Sequence, residues 1–194
     1  MTSDLRVDHP ALGTFLGQLG GVAVSVADPV GLIRRTLDPF RHLLMENFLP
    51  DEYRDTPPNE VSRWVLFRSS DRSLNLVVSV IPPKHKTPIH DHGARWGLAG
   101  IYQGGAREVS YVPNLEKVDD GSVIKRTTRR RLKPGDVTAI LPPEMDIHST
   151  EVTSSMPAVV LMLLASGPDD PQRYVYDTRR HTRSLAGDHY EDHY

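Results

Sequence analysis

Residues 74–92 read Leu-Asn-Leu-Val-Val-Ser-Val-Ile-Pro-Pro-Lys-His-Lys-Thr-Pro-Ile-His-Asp-His. The first eight, Leu74 to Ile81, are an almost unbroken run of Leu, Val and Ile, the texture of a central strand covered on both faces. Pro82-Pro83 then ends the run, because proline has no amide hydrogen for a sheet ladder. Further short β-rich runs flank it: Trp64 to Phe67, Leu98 to Tyr102, Glu108 to Val112, Val123 to Thr128, Val137 to Leu141 and Ala158 to Leu164. Between them stand turn-forming residues, namely Ser69-Ser70-Asp71, Gly104-Gly105, Asp119-Asp120-Gly121 and Pro134-Gly135-Asp136. Short runs at this spacing predict a mainly β sandwich or barrel. Arg107 to Val112 alternates polar with apolar and predicts a half-exposed strand. The basic run from Lys125 to Arg131 predicts the solvated face of an edge strand.

Upstream of Ser62 the period changes. Asp28-Pro29 offers an N-cap followed by proline at the first helical position, and Ile33, Leu37, Phe40, Leu44 and Phe48 then recur at helical spacing. Asp38-Pro39 interrupts that pattern and predicts two short helices meeting there. Ala11 to Leu19 predicts a further helix, ended by Gly20-Gly21. The reading is thus one domain over 1–180, with a helical region at about 9–50 and a barrel at about 62–178. A polar tail over 181–194, carrying His189 and His193, is expected to be flexible.

Composition narrows the chemistry. A chain of 194 residues, 38% hydrophobic and 25% charged, can bury a core of its own. With no cysteine, disulfides and thiolate-held metals are excluded, so any ion must be held by His, carboxylate or carbonyl groups. A formal net charge of −2 gives no field to attract nucleic acid or anionic lipid. Neither a leader with an apolar core nor a span of roughly 18 apolar residues is present, so the expected location is the cytoplasm.

His90 and His92 stand two residues apart, and on a strand that spacing turns both side chains to one face. Asp91 then points the other way, toward a neighbour or solvent. The pair alone is a weak signal in a chain with nine histidines. The second half of the chain adds to it. Pro134-Gly135-Asp136 opens a hairpin, Val137 to Leu141 forms a strand, Pro142-Pro143 turns the chain, and a returning strand can bring His148 to the same face. Three neutral imidazoles on one side of an ion leave coordination positions open opposite them.

In these residues the chain resembles the cupins, and among them the cysteine dioxygenase-like thiol dioxygenases, especially the bacterial members related to 3-mercaptopropionate dioxygenase. The likeness is carried by Thr87-Pro88-Ile89-His90-Asp91-His92, by Trp96-Gly97-Leu98, by Arg131-Leu132-Lys133-Pro134-Gly135-Asp136-Val137 and by Asp146-Ile147-His148. It runs from about Ser62 to Arg173. The general cupin pattern has a glycine where this chain has Lys84, and a glutamate ligand where it has Trp96-Gly97; loss of that carboxylate is itself shared with the thiol dioxygenases. The resemblance implies a mainly β fold, a cupin (double-stranded β-helix, or jelly-roll) barrel preceded by a helical region. It also implies Fe(II) on His90, His92 and His148, with Zn or Ni possible in purified protein.

Carried over residue by residue, Arg173 falls where the mercaptopropionate-type enzymes clamp the substrate carboxylate. Arg63 is an approximate match, one residue out of register, to the clamp of the mammalian type. Met162 and Leu164 are expected to wall the substrate pocket, and Trp96 to be a pocket wall, as a substrate-binding residue, or a core residue. Gly97 stands where mammalian enzymes carry a crosslinked cysteine, so that cofactor cannot form. The family's Ser-His-Tyr relay is replaced by Val160, Met162 and Leu164, which leaves Tyr102, Tyr174 or Tyr176 as substitutes for its tyrosine. No catalytic residue beyond the metal site is expected.

The resulting expectation is an Fe(II)-dependent thiol dioxygenase oxidising a small carboxylated thiol to its sulfinate. Its partners would be a small molecule and O2, with no nucleic acid or membrane, and the chain would be a monomer or weak homo-oligomer. Two other readings stand beside it: a three-histidine cupin dioxygenase acting on a non-thiol, and a non-catalytic cupin that binds a metal or ligand.

Overall fold

The computed structural model describes residues 4–25, 28–71, 73–93, 95–113, 124–165 and 172–186. Helix α1 spans Pro10–Ser25 and α2 spans Pro29–Met45, followed by one 3₁₀ turn at Asp51–Tyr53. The Asp28 carboxylate caps α2 by accepting the Gly31 N–H at 2.7 Å.

Two expectations about the helices are corrected. Helix α2 is continuous through Pro39 rather than broken at Asp38-Pro39. The carbonyl that loses its partner belongs to Arg35, an exposed residue that water can reach, while Phe40, Leu43 and Leu44 beyond it are buried. Burying each contributes roughly 1.5–3 kcal/mol, which together exceeds the roughly 3 kcal/mol that an interior proline costs. Helix α1 likewise runs on past Gly20-Gly21.

The described residues form twelve strands, in chain order β1 Asp4–Leu5, ahead of the helices, then β2 Ser62–Arg68, β3 Leu74–Ile81, β4 Ile89–His90, β5 Gly97–Gln103, β6 Ala106–Pro113, β7 Ile124–Leu132, β8 Val137–Ile140, β9 Ile147–Val152, β10 Ala158–Ala165, β11 Tyr174–Asp177 and β12 Thr182–Leu185. They form two six-stranded sheets, β1-β2-β3-β10-β5-β8 and β12-β11-β4-β9-β6-β7, with every pairing antiparallel. From β3 to β11 the chain changes sheet at each step except the β6–β7 hairpin. That alternation is the double-stranded β-helix, or jelly-roll, and the protein is a mainly β barrel of this type with two helices at its N-terminal end.

The first sheet separates two apolar layers. Leu76, Val78, Leu98, Leu161 and Leu163 face outward and share one core with Phe15, Phe40, Leu43 and Leu44 of the helices. Residues of the other parity, Val77, Ile140, Met162 and Leu164, face the barrel interior. At Gly100 a side chain would collide with Leu44, so the absence of a Cβ lets α2 lie against the sheet.

Strand β6 is half-exposed as expected: Glu108, opposite Thr150, and Ser110, opposite His148, turn inward, while Arg107, opposite Glu151, is on the outer face. The expected tail begins as strand β12, paired with β11, and residues 187–194, with His189 and His193, lie outside the described residues. The expected turn Asp119-Asp120-Gly121 and Val123 also lie outside them. Among the described residues, no helix is long and apolar enough to cross a membrane.

Candidate metal centre

Strand β4 is only two residues long, yet it lies between β9 and β11 and places His90 directly opposite His148. His92 lies just past the strand end. It is positioned instead by its own N–H, which donates to the Asp146 carboxylate at 2.9 Å, and by its ring. The three rings converge, with centroids 5.3 Å apart for His90–His92 and 4.9 Å for each of the other pairs. One nitrogen from each of His90, His92 and His148 lies within 4.8 Å of the others.

What the remaining nitrogens do decides the chemistry. His90 Nδ1 donates to the Pro88 carbonyl at 2.9 Å, His92 Nδ1 to Asp146 Oδ1 at 2.8 Å, and His148 Nδ1 to Glu108 Oε2 at 3.3 Å. Each acceptor holds its proton on Nδ1 and leaves Nε2 as the lone-pair donor. Burial holds His90 and His92 well below the usual histidine pKa, helped by the neighbouring rings and by Arg173. Neutral imidazoles with one nitrogen tied back are the form that ligates a metal, so the residues fit a mononuclear ion, and this three-histidine group can hold one.

No family model matches the chain. Among solved structures it is similar to an uncharacterised conserved protein with a double-stranded β-helix domain from Klebsiella pneumoniae subsp. pneumoniae MGH 78578. The identity is 17% and the TM-score 0.47, over 68% of this chain and 98% of that one. It is similar to a cupin superfamily protein from Desulfitobacterium hafniense DCB-2 at 17% identity and TM-score 0.40, over 58% of this chain and 84% of that one. It is also similar to an oxalate oxidase in complex with the substrate analogue glycolate, at 15% identity and TM-score 0.43, over 59% of this chain and 55% of that one. The fold class rests on the strand pairing described above.

The carboxylates behind the rings differ in character. Glu108 is only 2% exposed, but the His148 and Arg130 contacts outweigh burial and hold its carboxyl below the usual range. Its other partner is Thr138 of the opposite sheet. Asp146 is pushed up to about 6, chiefly by burial. Asp91 turns to a neighbour rather than to solvent: Oδ1 accepts the Tyr174 N–H at 2.9 Å and Oδ2 accepts the Tyr176 hydroxyl at 2.8 Å. Burial and that carboxylate push the Tyr176 phenol well above its usual pKa. Asp91 thereby secures β11 beside the histidine strand, and the Arg173 Nε donates to its backbone carbonyl at 3.1 Å.

The other site residues expected from sequence separate into groups. Arg173 adjoins the histidine loop. Met162 and Leu164 face the interior, across the barrel from the rings. Arg63 is on the first sheet, opposite Ser79, in the sheet that carries none of the three histidines. Trp96 packs against the helix-side core instead of walling the chamber, because it shares its parity with Leu98 and Gly100. At Gly97 any side chain would collide with the Leu163 carbonyl, so the backbone itself demands glycine there. Of the tyrosines weighed as relay substitutes, Tyr102 is on the helix side, where its hydroxyl meets the Leu49 N–H.

Sequence reading missed Glu108, Asp146, Arg130, Thr138 and Ser79. Ser79 is buried on the inner face with no hydrogen-bond partner for its hydroxyl among the described residues, an arrangement that costs about 1–3 kcal/mol and suits contact with a bound molecule. Its one sequence signal is a polar residue between Val78 and Val80 in the otherwise apolar stretch 76–81.

Proposed function

We propose that this chain is a mononuclear non-haem iron dioxygenase that oxidises a small carboxylated thiol to its sulfinate. The single observation carrying the metal part is the trio of rings that bring one nitrogen apiece within 4.8 Å of the others while each Nδ1 is tied to an oxygen. When bound, iron(II) supplies the oxygen chemistry that carries both atoms of O2 to sulfur.

The chain's own residues position the substrate. Arg173, braced on the Asp91 carbonyl at the rim of the histidine loop, orients the carboxylate. Ser79 offers its unpartnered hydroxyl to the substrate from the opposite sheet. Val77, Ile140, Met162 and Leu164 exclude water from the interior. In this reading the partners are a small molecule and O2 alone, and the protein works in the cytoplasm as a monomer or weak homo-oligomer.

A second reading has support in the same inner face. Val160, Met162 and Leu164 give it no acid or base, which suits an apolar, metal-chelating substrate such as a diketone. Metal analysis combined with oxygen uptake separates the readings, with 3-mercaptopropionate, cysteine, cysteamine, mercaptosuccinate and a diketone as substrates. Uptake with the carboxylated thiols is expected, and Arg173→Ala should raise their KM roughly tenfold or more with a smaller change in kcat. Uptake with the diketone alone favours the second reading. Stoichiometric metal with no uptake on any substrate overturns both and leaves a metal-binding module.

A further inference from the structure

Strand β7 is the edge of the second sheet and carries Lys125, Arg126, Arg129, Arg130 and Arg131. Arg131 pairs opposite Arg107 and Arg129 opposite Val109, so these residues share the outer face. Strict alternation would put Arg126, three positions before Arg129, on the other face. The register shift at Ser110/Tyr111 adds one residue to β7 and sets Arg126 opposite Tyr111, back on the outer face. Such a bulge interrupts the ladder and re-aims a side chain. Here it extends a row of guanidiniums on one surface.

A recess of about 290 Å³ opens at this edge, lined by Arg107, Arg129, Arg130 and Arg131. Two of the four already meet carboxylates: Arg107 meets Glu151 at 3.1 Å on the outer face, and Arg130, which turns to the other face of β7, meets the buried Glu108 at 3.0 Å. Arg129 and Arg131 are exposed and meet no carboxylate among the described residues. Four guanidiniums against two carboxylates leave two positive charges uncompensated, in a chain whose formal net charge is −2.

We propose that this recess binds a phosphoryl group, carried by free phosphate, by pyrophosphate or by a small phosphorylated molecule. A dianion matches the uncompensated charge, and guanidinium forks meet phosphoryl oxygens two at a time. The pair held by carboxylates forms a preorganised wall, while Arg129 and Arg131 close on the anion. The volume admits a phosphoryl group and its nearest substituent. A nucleic acid would need a track of stacking aromatics, and the only aromatic on β6 and β7 is Tyr111.

Calorimetric titration of the metal-free full chain with inorganic phosphate and with pyrophosphate, at constant ionic strength, tests it. Saturable one-to-one binding is expected, weakened roughly tenfold or more in Arg129→Ala/Arg131→Ala. Should that variant fail to fold, Arg129→Lys/Arg131→Lys decides, because lysine keeps the charge but loses the fork and should still bind more weakly. Equal affinity in parent and folded variant, or no saturation in the parent, overturns the proposal. So does binding to a single-stranded oligonucleotide that phosphate does not displace, which would mark a nucleic-acid surface.

Discussion

Glu108 joins three elements: its carboxylate meets the His148 ring, the Arg130 guanidinium and the Thr138 hydroxyl. Glu108→Gln keeps the size but removes the charge that holds the His148 proton on Nδ1. Metal affinity should fall roughly 10–100-fold, read by titration with cobalt(II) alone, while circular dichroism stays that of the parent. An unchanged affinity would reduce Glu108 to a structural brace. At this scale the histidines were legible and their supports were not. His90 and His92 announce themselves by a spacing of two, whereas Asp146 reaches His92 from 54 residues away. Glu108 was missed for a different reason: alternation along β6 does not say which face is the interior, and Glu108 turns inward while Arg107 does not.

The hairpin joining β2 and β3 is closed by one side chain. Asp71 Oδ1 accepts from the Ser69 hydroxyl, the Ser73 N–H and the Ser73 hydroxyl, and the first of these contributes most to pulling its carboxyl down to about 2. A carboxyl depressed on folding stabilises the native state at pH values above its unfolded pKa, and that stability is lost as pH falls through the folded value. Asp71→Ala should therefore be less stable than the parent at pH 7, by an amount typical of turn hydrogen bonds, about 0.5–1.5 kcal/mol. The gap should narrow between about pH 4 and pH 2, followed by urea unfolding; a gap independent of pH would remove the carboxylate from the explanation. The long strands were legible because apolar runs and turn residues are local signals. Strand β11 was not, and β4 only through the strand expected at the His90-Asp91-His92 stretch, since β4 is two residues long and both depend on neighbours and on Asp91. Helix α2 defeated its local signal too, as the buried residues beyond Pro39 outweigh the lost hydrogen bond.

The helices and the barrel share a core, so they should melt together. Phe40 is fully buried between α1 and the outer face of the first sheet, against Phe15 at a centroid distance of 5.9 Å. Phe40→Ala should cost about 3–5 kcal/mol while unfolding stays one transition by both fluorescence and circular dichroism. Two separate transitions would mean that the helical region is not part of the folding unit. At this scale the amino-acid sequence alone determined a mainly β domain with a helical start, no thiolate chemistry and three candidate imidazoles, because composition, strand periodicity and turn residues act within a few positions of one another. Only the tertiary structure decided which face of each strand is the interior, that Trp96 belongs to the helix layer, that two distant carboxylates stand behind the histidines and that a bulge lines up the arginines of β7. Those outcomes depend on strand register and sheet packing, which bring together groups from remote parts of the chain and leave no mark on any single stretch of it.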